Sequence, residues 1–194
     1  MRFDHAEDLA KFVEELKRET DRGLPLVGAA LIDEKLLETL QAFFIESKSS
    51  NKLLTEGNAP LGTFSSKIEA CYALGLIDEF EYQEIGLIRK IRNEFAHAKH
   101  GLSFQSEKIK GYCTSFKSDL PQDLDYSAND YRFRFMNSVV CIVLRLYYRA
   151  AWVQKERRES KTWATADASL LRFFEEEQPP ERAPVMVMAK GTVK

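Results

Sequence analysis

The sequence predicts an all-α fold, a single helical bundle of five to six helices. Two observations carry that prediction. Apolar residues recur at the i, i+3, i+4, i+7 spacing of an amphipathic helix in window after window, several of them opened by a residue able to cap a helix start. No window alternates apolar and polar residues for long in the manner of a strand, and no Asn-Gly or Asp-Gly hairpin signal occurs. With 194 residues, 44% of them hydrophobic, the chain is long enough for one well-buried core. One helical domain is expected over residues 1–177, followed by a flexible C-terminal tail over 178–194.

In the first helix, Ala6 to Glu19, the residues Leu9, Phe12, Val13 and Leu16 make one apolar stripe. A second, longer helix runs from Leu26 to about Ser47 on Val27, Ala30, Leu31, Leu36, Leu37, Leu40, Phe43 and Phe44, with Asp33, Glu34 and Lys35 in its middle. Residues 48–62, KSSNKLLTEGNAPLG, gather the Ser, Asn, Gly and Pro that interrupt helices, and are expected as a loop pinned by Leu53 and Leu54. A third helix starts near Thr63 or Ser65, either able to cap it. It ends at Gly75, whose missing Cβ suits the left-handed conformation at a helix C-terminus.

Asp78 caps the fourth helix, with Glu81 placed to complete a capping box. That helix is expected to reach His100 on the stripe Ile85, Ile88, Ile91 and Phe95, and Gly101 closes it. Residues 102–128 have weak periodicity and are expected as an irregular connection with room for one short helix around Lys108 to Phe116. Asp130 caps a fifth helix to about Glu159. Its middle is apolar on nearly every side, through Phe135, Met136, Val139, Val140, Ile142, Val143 and Leu146, which suits the centre of a bundle or a dimer interface. A last helix is expected over Ala166 to Glu177, and the tail QPPERAPVMVMAKGTVK has no helical period.

Charge narrows the function classes. A formal net charge of -2 removes the global positive field on which non-specific nucleic-acid binding relies, so any such site must be local. Residues 1–46 hold eleven Asp or Glu against six Lys or Arg, whereas residues 131–161 hold eight Lys or Arg against two Glu. The plain reading of both is solvated helix faces, with mutual attraction as the alternative. The acidic start lacks the pattern of a secretory signal. The longest apolar run, Val139 to Leu144, falls far below the ~20 residues that span a bilayer. Cys71, Cys113 and Cys141 are odd in number and show no CxxC pairing, so reduced structural thiols and a cytoplasmic location are expected.

The string LIRKIRNEFAHAKHG in the fourth helix places Arg89, Asn93 and His97 four residues apart, along one face, where they line a polar groove or a subunit interface. Arg92 lies about 140° around from His97. The runs DRGLPLVGAALIDEKLLETLQAFF and LLTEGNAPLGTFSSKIEACYALGLIDEFEYQEIGLIRKIRNEFAHA resemble the mannitol operon repressor (MltR) family of bacterial regulators. The likeness covers roughly residues 20–150 and is most specific at EGNAPLGTFSSKI and LIRKIRNEFAH. It implies a self-associating helical bundle linked to control of sugar-alcohol uptake operons, without a recognised DNA-binding motif. The residues agree on that last point, since no recognition helix with base-reading side chains is found.

RNEFAH is also similar to the Arg, polar residue, His pattern of HEPN domains, some of which are metal-independent ribonucleases. By that likeness Arg92 and His97 form the active pair, with Asn93 as the polar residue after the Arg. A guanidinium stabilises a pentavalent phosphate and an imidazole shuttles the proton of a ribose 2′-OH, but an efficient site needs a second copy across a dimer. The plainer reading is favoured: Arg89, Arg92 and Asn93 bond to neighbouring elements and His97 caps the helix end.

Glu94, His97 and His100 lack the thiol or second acidic pair that would make a metal site, so no metal and no cofactor are expected. EGNAPLG, Glu56 to Gly62, lacks the Lys and Ser or Thr of a phosphate-binding loop and is expected as a tight turn seating the third helix. Arg89, Glu94, His100, Arg145 and Arg149 are the expected interaction surface. The resulting expectation is a regulator acting through protein contacts, a homodimer with a protein partner and no membrane association. The alternative is the ribonuclease, or a toxin-antitoxin component, using Arg92 and His97.

Overall fold

The computed structural model describes residues 6–121 and 129–162. Among them lie eight helices and no strand: α1 (Ala6–Arg18), α2 (Gly23–Phe43), α3 (Lys48–Leu54), α4 (Phe64–Ala73), α5 (Glu79–His97), α6 (Glu107–Thr114), α7 (Tyr131–Leu146) and α8 (Arg149–Gln154). All eight fall in one compact unit, Met1–Arg158. A second unit, Glu159–Lys194, is described only over residues 159–162, which carry no helix. The expected helix Ala166 to Glu177 and the tail 178–194 lie outside the described residues.

The bundle is built around α2, which touches α1, α3, α4, α5, α7 and α8. Its Leu24, Leu31, Ile32, Leu36 and Leu40 are buried. Pro25 sits in its first turn, where a missing N–H removes no helical bond. The helix runs unbroken past Asp33, Glu34 and Lys35. Lys35 and Glu38 pair at 2.7 Å, and Asp33 pairs with the buried Lys67 of α4 at 2.9 Å. Gly28 lets α7 approach closely: a Cβ there would lie 3.1 Å from both Val139 methyls.

The expected caps form. The Thr63 hydroxyl accepts from Ser66 N at 3.1 Å to start α4. Gly75, at φ 69°, closes that helix with bonds from Gly75 N to Tyr72 O and from Leu76 N to Cys71 O, which satisfy carbonyls the helix leaves open. Asp130 Oδ1 accepts from Phe133 N at 2.8 Å at the head of α7. In the EGNAPLG turn, Leu61 N reaches Leu53 O at 2.9 Å and Lys67 Nζ donates to Gly62 O at 3.2 Å, tying the turn to α3 and α4.

Three expectations change. Residues 48–54 are helical rather than loop, because Ser47 caps Ser50 N at 3.1 Å and Leu54 is buried as an anchor. The fourth predicted helix stops at His97, since Ala98 turns extended at ψ 128°, and His100 lies beyond the helix. The fifth predicted helix breaks at Tyr147 and Tyr148 into α7 and α8. The break lets Val153 enter the core while Arg149 turns toward α5. These changes raise the helix count above five to six.

Part of the basic late segment is used by the fold, while Lys155 and Arg158 stay exposed. Arg132 donates to the Leu16, Lys17 and Glu19 carbonyls that end α1 and pairs with Asp21. Arg157 donates to Phe44 O at 2.6 Å and Gln41 O at 3.0 Å at the end of α2. Arg134 takes the Phe116 carbonyl after α6. Helix C-termini leave carbonyls unpaired and carry partial negative charge, so cations from elsewhere settle there. Between the acidic start and the basic late segment, the ion pair that accompanies these carbonyl contacts is Arg132 with Asp21 at 3.3 Å.

Candidate functional site

The polar residues of α5 sort onto distinct sides. At its first turn, Asp78 Oδ1 accepts from Glu81 N at 2.8 Å and Glu81 Oε2 accepts from Asp78 N at 3.0 Å, a reciprocal capping box. The Glu81 carboxylate is fully buried and receives two arginines. Arg145 Nε donates to Oε1 at 3.0 Å, and Arg149 donates to Oε1 at 2.7 Å and to Oε2 at 3.1 Å. Arg145 also reaches Asp78 Oδ2 and stacks over the Phe80 ring, and Arg149 takes the Leu76 carbonyl. Of these two arginines, both expected on an interaction surface, Arg149 is largely buried at this carboxylate, whereas Arg145 reaches it from the surface and stays exposed. A buried carboxylate must be compensated, and this one is, on both oxygens.

One turn on, the buried Glu84 accepts from Lys117 N at 2.7 Å and from the Ser118 hydroxyl at 2.5 Å. It fixes the chain that follows α6 against α5. Arg92 donates to the neighbouring Asn93 Oδ1 at 3.0 Å. Glu94 pairs with Lys108 at 2.7 Å, and hydrogen bonding to that carboxylate pushes the ammonium up from its ordinary value. His97 is exposed at the last residue of α5, and His100 is exposed beyond it. Among the described residues no helix is long and apolar enough to cross a membrane, and no three His, Cys, Asp or Glu side chains lie close enough to hold a metal ion.

Two surface features remain. The first is a groove of about 430 Å³ between α4, α5 and the chain after α6, lined in part by Tyr82, Gly86, Arg89, Lys90 and Lys117. Arg89 was legible as part of a polar stripe. Asn93 and His97 continue the same helical face but do not line the groove. Tyr82 stacks on Tyr72 with ring centroids 4.4 Å apart, and its hydroxyl donates to the Glu69 carboxylate at 3.1 Å, which pushes the phenol up. Sequence reasoning missed Tyr82, Gly86 and Lys117. A glycine amid strong helix formers, four residues after a Tyr and three before an Arg, was the available signal.

The second is a row of exposed apolar side chains on the outer side of α7 and α8: Leu144 at 50%, Tyr148 at 60% and Trp152 at 55% exposure, four residues apart. The Tyr148 and Trp152 rings lie 6.3 Å apart and the Tyr147 ring packs edge-on against Tyr148 at 4.6 Å. Sequence alone set the apolar middle of this segment, up to Leu146, in the core or an interface, and the exposed row follows from its far end.

A family model described as mannitol repressor matches residues 9–137. Two curated mannitol operon repressors, from Escherichia coli strain K12 and from Escherichia coli O6:H1, are each 29% identical to this chain over 96 residues, or 47% of its length. The matched stretch spans only 49%, about half, of those relatives. Among solved structures, the X-ray structure of the MtlR-HPr complex from Escherichia coli contains a similar chain, with a TM-score of 0.50 at 23% identity, covering 75% of this chain and 98% of that one. At that identity the likeness concerns the fold.

Proposed function

This chain belongs to the mannitol repressor family, and from that premise we propose that it is a cytoplasmic regulator of a sugar-alcohol operon that works by binding another protein, one of the HPr kind, rather than by reading DNA itself. The exposed row Leu144, Tyr148 and Trp152 carries the reading. Tyr and Trp are the residues that most often anchor protein interfaces, since they bury large rigid area with few rotamers to freeze. Direct DNA reading has little to draw on. The net charge is -2, and Arg132, Arg134, Arg145, Arg149 and Arg157 of the basic segment donate into the bundle.

The test titrates Escherichia coli HPr into the purified chain by calorimetry, beside a Tyr148→Ser, Trp152→Ser double variant. Binding by the parent is expected, with affinity falling roughly tenfold or more in the variant, about 1.4 kcal/mol or above. Circular dichroism should be unchanged because both side chains are exposed. Equal affinities would move the partner off this row, and no binding by the parent would sink the HPr partner. A parent that sediments as a dimer while the variant is monomeric would assign the row to self-association instead. Incubation with total RNA, with Arg92→Ala and His97→Ala as comparisons, is expected to leave the RNA intact. Cleavage lost in both variants would overturn a purely regulatory role.

A further inference from the structure

The groove on α5 has the features of a small-molecule site. Its volume of about 430 Å³ falls in the range of ligand clefts, roughly 300–1,000 Å³. Gly86 is part of its lining, in the interior of a long helix, where a Cβ would meet nothing within 4 Å. Glycine there costs the helix about 0.5–1 kcal/mol relative to alanine, and no neighbour requires it. The missing side chain leaves that part of the groove lining open.

The charges of the groove are poorly matched inside the protein. Arg22, Arg132, Arg134, Arg145, Arg149 and Arg157 each donate to a carbonyl or carboxylate. Arg89, half-buried in the wall one turn after Gly86, has no hydrogen-bond acceptor among the described residues, and neither does Lys90 beside it. Lys117 is held over the groove by Gln83 Oε1 at 2.8 Å. Of the two carboxylates present, the buried Glu84 is saturated by Lys117 N and the Ser118 hydroxyl, and the exposed Glu69 accepts from Tyr82 with lone pairs left to accept more. A ligand therefore meets three cations and a rim of hydroxyl, amide and carboxylate groups.

We propose that this groove binds a small polyhydroxylated anion, with Arg89 and Lys90 on its phosphate or carboxylate and the Glu69, Tyr82 side on its hydroxyls. A guanidinium fork matches either oxyanion in bidentate geometry. A Glu carboxylate accepts hydrogen bonds from sugar hydroxyls without competing for the anion, which it repels toward the cationic side. Such a site makes a repressor responsive to a metabolite, and it does not depend on which protein the chain binds.

The test measures calorimetric binding to the full chain at low ionic strength with four probes: mannitol 1-phosphate, gluconate, mannitol and inorganic phosphate. Binding of the polyol phosphate or the sugar acid, in preference to both neutral mannitol and bare phosphate, is expected. Which of the two anions binds names the source. Arg89→Gln should weaken binding by roughly tenfold or more, the weight of one charge-assisted bidentate contact. Gly86→Phe should abolish it by filling that part of the groove. Arg158→Gln, an exposed change outside the groove, should leave it unaltered. Circular dichroism and HPr titration of Gly86→Phe check that the variant is folded, so a lost groove and a lost fold are told apart.

Mannitol binding as well as the anions do would overturn the role of charge. Inorganic phosphate binding as tightly as the polyol phosphate would overturn the role of the hydroxyls. No binding at millimolar concentrations, or binding unaffected by both groove variants, would overturn the site.

Discussion

The Glu81 carboxylate and the Arg149 guanidinium meet 2.7 Å apart where α5 begins and α8 begins, one of them fully buried and the other donating also to Leu76 O. Arg145 completes the cluster from α7 at 3.0 Å. Replacing Glu81 with alanine leaves the largely buried Arg149 without a carboxylate partner and Arg145 with Asp78 alone. Removing one partner of a buried ion pair costs about 3–5 kcal/mol, whereas removing the Asp78 cap side chain costs about 1 kcal/mol. Urea unfolding of Glu81→Ala and Asp78→Ala should therefore differ by at least about 2 kcal/mol. Similar losses in the two would mean that the cluster acts only as a helix cap.

Two glycines in helices predict opposite signs. At Gly28 a Cβ would crowd both Val139 methyls at 3.1 Å, at the contact of α2 with α7, so Gly28→Ala should destabilise by about 1–3 kcal/mol through overpacking. At Gly86 the same change meets open space and restores helix propensity, for a gain of about 0.5–1 kcal/mol. Thermal unfolding of the pair measures both. A loss at Gly86 would show that something packs over the groove.

Arg157 closes the end of α2 through Phe44 O and Gln41 O. Two charge-assisted bonds to carbonyls that the helix leaves unpaired make Arg157→Ala worth about 1.5–3 kcal/mol. Amide exchange of residues near 40–44 should accelerate first, before the protein unfolds globally. Uniform acceleration across the bundle would place the effect elsewhere.

The parts of this fold that were legible in sequence are those written locally. The stripe Ile85, Ile88, Ile91 and Phe95 is buried as its spacing required, and the caps at Thr63, Asp78 and Asp130 form because a short side chain reaches only its own helix start. The break between α7 and α8 was not legible, since Tyr147 and Tyr148 carry no helix-breaking chemistry. What favours it is tertiary: Arg149 reaching Glu81, and Val153 reaching the core. Residues 48–54 misled for the opposite reason, because Ser and Asn are both loop formers and helix caps. Of the candidate site, Arg89 was legible from its helical face. Tyr82 and Gly86 share that face yet carry no charge to mark them, and Lys117 comes from a distant loop that tertiary contacts, Glu84 and Gln83 among them, bring near.

The cysteines give a pH dependence whose direction is fixed by burial. Desolvation pushes the Cys71 and Cys113 thiols from 9.0 up to about 12, so the folded protein keeps two protons that the unfolded chain releases at lower pH. A raised folded value adds stability that is fully present below pH 9.0 and is lost as the pH rises toward about 12. Within that window each thiol should contribute a fall of about 1.4 kcal/mol per pH unit. Urea unfolding between neutral and alkaline pH, compared with a Cys71→Ala, Cys113→Ala variant, isolates them from the tyrosines and lysines that titrate nearby. The variant starts lower because it loses buried volume, but its alkaline slope should be shallower. Parallel slopes would mean that the thiols are not protonated by burial. Alkylation at mildly alkaline pH supplies a second readout: the half-buried Cys141 should react first, with Cys71 and Cys113 reacting only on unfolding.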